Sequence, residues 1–187
     1  MADRRTRRPP EPRGPEQAFE LAAHFLATRP RSRWEVRRRL QRAAVEPATI
    51  ERVLERLVSA GLVDDLAFAR WWREQRDRHA PRGRRMLEAE LRGKGIPRDV
   101  IEALRGEAPE WAAEDAALPT TEDERGREAL DGHLRGRPVP SDRRALERLG
   151  MFLVRRGFEP GTARSIIRER AAAEAGDAPD DLSEPAG

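Results

Sequence analysis

Residues 50–72 read IERVLERLVSAGLVDDLAFARWW, and this stretch contains the strongest fold signal in the chain. In its first half, apolar residues follow the i, i+3, i+4, i+7, i+8 spacing that places side chains on one face of an α-helix, namely Ile50, Val53, Leu54, Leu57 and Val58. The spacing predicts a helix with one buried face, in a chain of charged helices.

The second half of the stretch predicts a corner followed by another helix. Gly61 suits the position just after a helix end, where the backbone adopts a left-handed conformation. Leu62 and Val63 are expected to pack the corner. Asp64 or Asp65 is expected to cap the next helix, because a carboxylate accepts hydrogen bonds from the free N–H groups of the first turn.

Three large aromatic side chains lie on the helix after this corner. Phe68 and Trp72 are four residues apart and share a face, whereas Trp71 is rotated by about 100° from Trp72. We expect Phe68 and Trp72 together to anchor the core of the helical unit that begins after this corner. Trp71 either closes a crevice against a neighbouring segment or lies partly exposed for a partner.

Two more helices are predicted upstream. Residues 16–28 (EQAFELAAHFLAT) carry a periodic apolar pattern that stops before Pro30. Ser32 and Glu35 have the spacing of a capping box and open a second helix, with Val36 and Leu40 on its inner side.

An internal repeat emerges when leucines 40, 91 and 153 are aligned. Five apolar positions then coincide, and a proline follows each apolar turn residue, as Pro47, Pro97 or Pro160. The three sets are Val36, Leu40, Val45, Ile50 and Val53; Leu87, Leu91, Ile96, Ile101 and Leu104; Leu149, Leu153, Phe158, Ala163 and Ile166. Three divergent copies of a helical unit account for the match better than chance does.

Charge is abundant but unevenly distributed. The 187 residues have a net charge of +3, and Lys94 is the sole lysine. Residues 29–42 contain seven arginines and one glutamate, whereas residues 107–124 contain seven acids and no base. The basic segments are candidate contacts for an acidic protein or nucleic acid, with a solvated helix face as the alternative.

Several classes of site are disfavoured. The chain has no cysteine, and its three histidines are scattered, so we expect no disulfide, metal or cofactor. No glycine-rich phosphate loop follows a strand, and no nucleophile pairs with a base in the sequence, so we expect no catalytic function. No apolar run reaches the roughly 20 residues of a membrane span, and we expect a cytoplasmic protein.

Three motifs carry a family resemblance: residues 61–69 (GLVDDLAFA), residues 90–96 (ELRGKGI) and residues 155–158 (RRGF). Over residues 17–172 the chain resembles the RecX regulatory proteins of bacteria. The resemblance implies an all-α fold of tandem three-helix repeats in an elongated, curved array of helices at right angles. It also implies a modulator that binds the RecA recombinase filament on single-stranded DNA and depresses strand exchange, ATP hydrolysis and coprotease activity.

The expected organisation has five parts. They are a disordered basic tail (1–16), a first three-helix repeat (17–62), a second (63–106), a third with an acidic, proline-containing insertion (107–172), and a disordered acidic tail (173–187).

Basic and aromatic residues on the outer faces are the expected partner-binding set. They are Trp34, Arg37, Arg38, Trp71, Arg84, Arg85, Arg92, Lys94, Arg155 and Arg156. Trp34 lies off the apolar stripe, near Arg37 and Arg38, so we predict an exposed cation–π patch; the alternative is that its ring folds onto a neighbouring helix. Arg84 and Arg92, eight residues apart, are expected to project together from one helix.

Two other functions compete with recombinase regulation. A sequence-independent helical DNA-binding protein would bind DNA without a protein partner, and its affinity would fall steeply with salt. An enzyme would need a pocket with convergent polar groups. We expect a monomer that regulates the recombinase filament, with weak direct DNA contact as an addition or an alternative.

Overall fold

The computed structural model describes residues 13–107 and 118–176, and within those ranges the chain forms α-helices and no β-strand. In chain order the helices are α1 (Pro15–Leu26), α2 (Arg33–Arg42), α3 (Pro47–Ser59), α4 (Asp65–His79), α5 (Arg84–Gly93), α6 (Arg98–Gly106), α7 (Glu122–Leu134), α8 (Arg143–Arg155) and α9 (Pro160–Gly176). The predicted all-α helical repeat fold is confirmed. Most of the two predicted disordered tails lies outside the described residues, although α9 continues past residue 172.

The helices belong to two compact units. Unit 1 extends to Trp71 and includes Arg92–Arg105, whereas unit 2 contains Trp72–Leu91 and the chain from Gly106 onward. Three helices correspond to each predicted repeat range, although α1 begins at Pro15 and α9 ends at Gly176, both just outside the predicted bounds. Because α4 and α5 each run from one unit into the other, the boundaries of the second repeat stay a prediction.

The core of unit 1 lies among α1, α2 and α3. Ala18 and Ala22 are fully buried, and these small side chains let α1 approach its neighbours closely. Four of the five predicted stripe residues of α3 are buried, but Val58 is 44% exposed, so its prediction is wrong. Helical periodicity gives the direction of Val58, but none of the helices in the described ranges covers this edge of the stripe.

The core of unit 2 lies among α7, α8 and α9. Leu130, Leu153 and Phe158 are almost completely buried there, and each contributes about 1.5–3 kcal/mol through removal of apolar surface from water. All fifteen residues of the aligned repeat pattern are buried. The repeat inferred from sequence therefore corresponds to one recurring set of core positions.

The turn after the second helix of each predicted repeat also recurs. Ala44, Gly95 and Gly157 occupy the same position in the aligned pattern, and all three have positive φ, of 56°, 75° and 95°. In two of these turns the following amide donates back into the helix, from Val45 N to Leu40 O and from Phe158 N to Leu153 O. This left-handed turn redirects the chain into the next helix.

A contact between consecutive repeats is built on these turns. In unit 1, Ser32 Oγ at the start of α2 donates to Lys94 O at 2.7 Å. In unit 2, Gly83 N before α5 donates to Arg156 O at 2.9 Å. Ser32 is aligned with Gly83, and Lys94 with Arg156. Each unit therefore contains one copy of the same contact between the start of one repeat's second helix and the turn of the next.

The corner at residues 61–65 is mostly as predicted. Gly61 has φ +67°, and Asp64 caps α4 by accepting hydrogen bonds from the amides of Leu66 and Ala67 at 2.7 and 3.1 Å. Asp65 instead accepts from Arg33 N at 2.8 Å, which ties α2 to this corner. Leu62 is 51% exposed, so its predicted packing is wrong, since Val63 alone turns inward.

Candidate partner-binding surfaces

Trp34 stands in the first turn of α2 because the capping box of Ser32 and Glu35 starts the helix just before it. A Cβ added at Gly95 would lie 2.4 Å from Trp34 Cβ, so the side chain packs directly on the glycine turn. It nevertheless remains 37% exposed, with the Arg38 guanidinium 4.7 Å from the ring centroid. Trp34 thus has features of both alternatives: its Cβ packs against the Gly95 turn, and its partly exposed ring forms the predicted cation–π pair with Arg38.

A groove between α1 and α2 extends from this pair and has a volume of about 540 Å³. We call it the α1–α2 groove. Phe25 forms part of its wall, and the Arg31 guanidinium lies 3.9 Å from the centroid of that ring. Arg39 and Arg42 also line the groove. Four arginines and two aromatic rings therefore meet in one concave surface.

The groove's carboxylate, Glu35, is already neutralised within the protein. It pairs with Arg29 at 3.0 Å and with Lys94 at 3.5 Å. Burial alone would raise the pKa of Glu35, but the Arg29 hydrogen bond and these two cations lower it instead. The pKa of Arg31 is lowered by burial and by repulsion from Arg29. The groove therefore presents uncompensated positive charge.

Arg37 and Trp71 have internal roles. The Arg37 guanidinium pairs with Glu51 of α3 at 2.7 Å. The Trp71 ring lies 5.8 Å from that of Phe68, and the Arg29 guanidinium covers it at 5.4 Å. Phe68 is fully buried in unit 1, whereas Trp72 belongs to unit 2 and donates to Glu90 at 2.9 Å. The expected joint core of Phe68 and Trp72 is therefore divided between the two units.

In unit 2, the other predicted arginines gather where α5 begins and α8 ends. We call Arg84, Arg85, Arg155 and Arg156 the α5/α8 basic face. Gly83 and Gly157 permit this meeting, because a Cβ added at Gly83 would lie 2.3 Å from the backbone of Gly157. Arg84, Arg85 and Arg155 are exposed.

The members of this face differ in what they contact. Arg85 is 63% exposed and reaches Glu159 at 3.5 Å, a pair too solvated to fix the side chain firmly. Arg156 turns inward, donating to Pro81 O at 3.4 Å and covering the Phe152 ring at 4.8 Å. Burial, with repulsion from Arg82, lowers the pKa of Arg156. The face thus has an exposed rim and one half-buried cation.

Arg84 and Arg92 lie on the same helix, as predicted, but in different units. The predicted partner-binding set does not include Phe25, Arg31, Arg39 and Arg42. The sequence signal for these four residues was the arginine-rich segment 29–42, but only the tertiary structure places α1 beside that segment.

Among the described residues, no group of three or more acidic, histidine or cysteine side chains is arranged to hold a metal ion, and no helix could span a membrane.

Comparison with known proteins gives a consistent result. Residues 18–57 match the family domain described as "RecX, first three-helix domain", and residues 64–104 match "RecX, second three-helix domain". The "Regulatory protein RecX" of Mycobacterium sp. (strain KMS) is 35% identical over 164 residues, which cover 88% of this chain and 87% of that protein. The protein of the same name from Prosthecochloris aestuarii is 46% identical over 90 residues, or 48% of this chain and 60% of that one.

A solved structure has a similar fold. The crystal structure of RecX from Lactobacillus salivarius superposes with a TM-score of 0.67, at 18% identity, over 84% of this chain and 97% of that one. At that identity the likeness concerns the fold alone.

Proposed function

Because the chain belongs to the RecX family of regulatory proteins, we propose that it regulates the RecA recombinase by binding its filament on single-stranded DNA. Binding would depress strand exchange, ATP hydrolysis and coprotease activity. We infer a cytoplasmic monomer that works through binding surfaces and performs no chemical step of its own.

The observation that supports this proposal most is the clustering of exposed arginines at both repeat contacts. Arg38 lies beside Trp34 in unit 1. In unit 2, Arg84 and Arg85 directly follow Gly83, which packs against Gly157, and the amide of Arg85 donates to Gly157 O at 3.3 Å. A nucleoprotein filament presents phosphates and acidic protein surface, and arginine pairs with both through its planar fork of donors. Two basic surfaces on consecutive repeats would let one chain contact a repeating filament at more than one place.

Charge reversal of the α5/α8 basic face tests the proposal. The variant Arg84→Glu/Arg85→Glu changes the first two residues of α5, and the matched control Arg143→Glu/Arg144→Glu changes the first two residues of α8. Both variants add the same negative charge within unit 2. We expect both to melt near the wild-type temperature, since exposed arginines contribute within about 0.5 kcal/mol.

Recombinase ATPase activity on single-stranded DNA should separate the two variants. The α5 variant should inhibit weakly, with the largest deficit at low salt, where the charges are least screened, whereas the α8 control should inhibit like the wild type. Equal inhibition by both folded variants across a salt series would remove the α5/α8 basic face from the binding surface. Absence of inhibition by the wild-type chain would overturn the proposed function itself.

Direct binding to single-stranded nucleic acid is the second candidate, and the α1–α2 groove favours it. Cationic grooves with aromatic rings are the usual platform for unstacked bases. In the absence of recombinase, the logarithm of affinity should fall with the logarithm of salt by about 0.7 for each phosphate contacted. Trp34→Ala should weaken the binding of single-stranded nucleic acid. An affinity that does not change with salt would contradict direct binding through the α1–α2 groove.

A further inference from the structure

Unit 2 contains a second polar cleft, of about 780 Å³, between the end of α4 and helices α7 and α8. Its charged and titratable lining comprises His79, Glu128, His133, Arg135, Arg137 and Arg156. Three guanidinium groups and two imidazoles therefore face one carboxylate. Apart from Arg156, none of these side chains belongs to the surfaces assigned above.

The cations of this cleft are held in place by the fold. Arg137 donates from Nε to Leu134 O at 3.0 Å and so closes the end of α7. His133 stacks on Phe152 with ring centroids 3.9 Å apart, and the Arg156 guanidinium lies over the same ring at 4.8 Å. Phe152 thus positions an imidazole and a guanidinium together at the cleft wall.

Arg135 has no comparable internal role. It ends α7 with φ 52°, a left-handed conformation that a residue with a Cβ adopts less readily than glycine. Within the part of the chain that the structure describes, its exposed side chain forms no ion pair. The side chain is therefore available to a ligand, while the backbone position would favour glycine.

One carboxylate, that of Glu128, lines the cleft. Burial raises the pKa of Glu128, and the nearby carboxylates of Asp77 and Asp131 raise it further. Asp131 is itself engaged by Arg170 of α9 at 3.4 Å. The three guanidinium groups of the lining outnumber its one carboxylate, and this balance of charge favours an anion.

We propose that this cleft binds the phosphoryl group of a nucleotide, either free or within a single strand of nucleic acid. Guanidinium groups hold phosphate oxygens through paired charge-assisted hydrogen bonds, and the exposed His133 ring offers a surface on which a base can stack. The volume lies in the range of small-molecule sites. This site is separate from the α1–α2 groove and does not depend on recombinase binding.

The test uses the full chain and three probes: orthophosphate, ATP without metal, and a thymidine oligonucleotide. The variants are Arg135→Gly and His133→Gln, with Arg143→Gln as the control, since Arg143 is 92% exposed at the far end of α8. Arg135→Gly removes the guanidinium while relieving the left-handed backbone, so it should fold at least as stably as the wild type. Calorimetric titration in a phosphate-free buffer measures the affinities.

We expect Arg135→Gly to weaken ATP or oligonucleotide binding about tenfold or more through the loss of one charge-assisted contact, and His133→Gln to weaken it by about the same factor through the loss of the stacking surface, while Arg143→Gln changes it little. Whichever of the two probes loses affinity identifies the source of the phosphoryl group. Binding of orthophosphate alone would contradict the assignment to a nucleotide. The proposal would be overturned if all variants bound the probes with the same affinity, or if no probe bound at all. It would also be overturned if the Arg143→Gln control lost as much affinity as the two cleft variants.

Discussion

Replacing Gly157 by alanine should break the contact between the start of α5 and the turn after α8. Gly157 has φ +95°, and an alanine Cβ there would lie 2.4 Å from Met86 N and 2.5 Å from Met86 Cβ. Because Met86 N is backbone within α5, the collision cannot be relieved by a side-chain rotation. The helix and the turn must move apart.

The expected destabilisation is the sum of a backbone penalty and the loss of two hydrogen bonds. Positive φ penalises alanine relative to glycine by about 1–2 kcal/mol. Separation also removes the hydrogen bonds from Gly83 N to Arg156 O (2.9 Å) and from Arg85 N to Gly157 O (3.3 Å), each worth about 1 kcal/mol net. We expect Gly157→Ala to lower the free energy of unfolding by about 3–4 kcal/mol.

Gly61→Ala is the matched control, because Gly61 also has positive φ (+67°) but nothing lies within 4 Å of its added Cβ. It should cost only the backbone term of about 1–2 kcal/mol. Urea unfolding followed by far-ultraviolet circular dichroism measures both, and the slope should stay unchanged if the transition remains two-state. Equal costs for the two variants would refute the argument that backbone approach, rather than φ alone, requires glycine at position 157.

Two further predictions concern ionisable groups in unit 2. Arg125→Met should destabilise the protein by about 3–5 kcal/mol in urea unfolding, because it leaves Asp77, 1% exposed, without the guanidinium that pairs with it at 2.7 and 3.2 Å. A second change, Asp77→Leu, should recover most of that loss, and failure to recover any would argue against an unpaired buried charge as its cause. Backbone hydrogen bonds from Thr121 and Thr120 lower the pKa of Glu124 from its ordinary value of 4.5 to about 2. Its stabilisation of α7 is therefore present above about pH 4.5 and disappears as pH falls toward 2. The difference in melting temperature between wild type and Glu124→Gln should therefore shrink on acidification, and a constant difference from pH 7 to pH 3 would contradict this reasoning.

Local sequence determined the helices and the repeat. A capping box needs only Ser32 and Glu35 at their spacing, and an apolar stripe needs only the helical period, so both can be inferred without knowing what packs where. The same is true of the fifteen aligned core positions, because each copy of the repeat buries the same face. The corner at Gly61 was likewise predicted, since its preference is a property of the backbone.

Tertiary structure alone decided which exposed positions matter. Val58 and Leu62 have the apolar character of core residues, yet within the described part of the chain they stay 44% and 51% exposed, because burial depends on neighbours that are distant in sequence. Ala44 adopts the left-handed turn that glycine holds at positions 95 and 157, so residue type did not mark that site.

The candidate surfaces show the same division. An arginine-rich segment was visible in the sequence, but the structure engages Arg37 with Glu51, leaves Arg38 on Trp34, and brings Arg31 onto Phe25. Whether an arginine forms an ion pair within the protein or stays exposed to a partner depends on where the carboxylates and aromatic rings of other helices lie. The period of apolar residues in the sequence shows which face of a helix is buried, whereas only the folded structure shows which residues of other helices contact that helix.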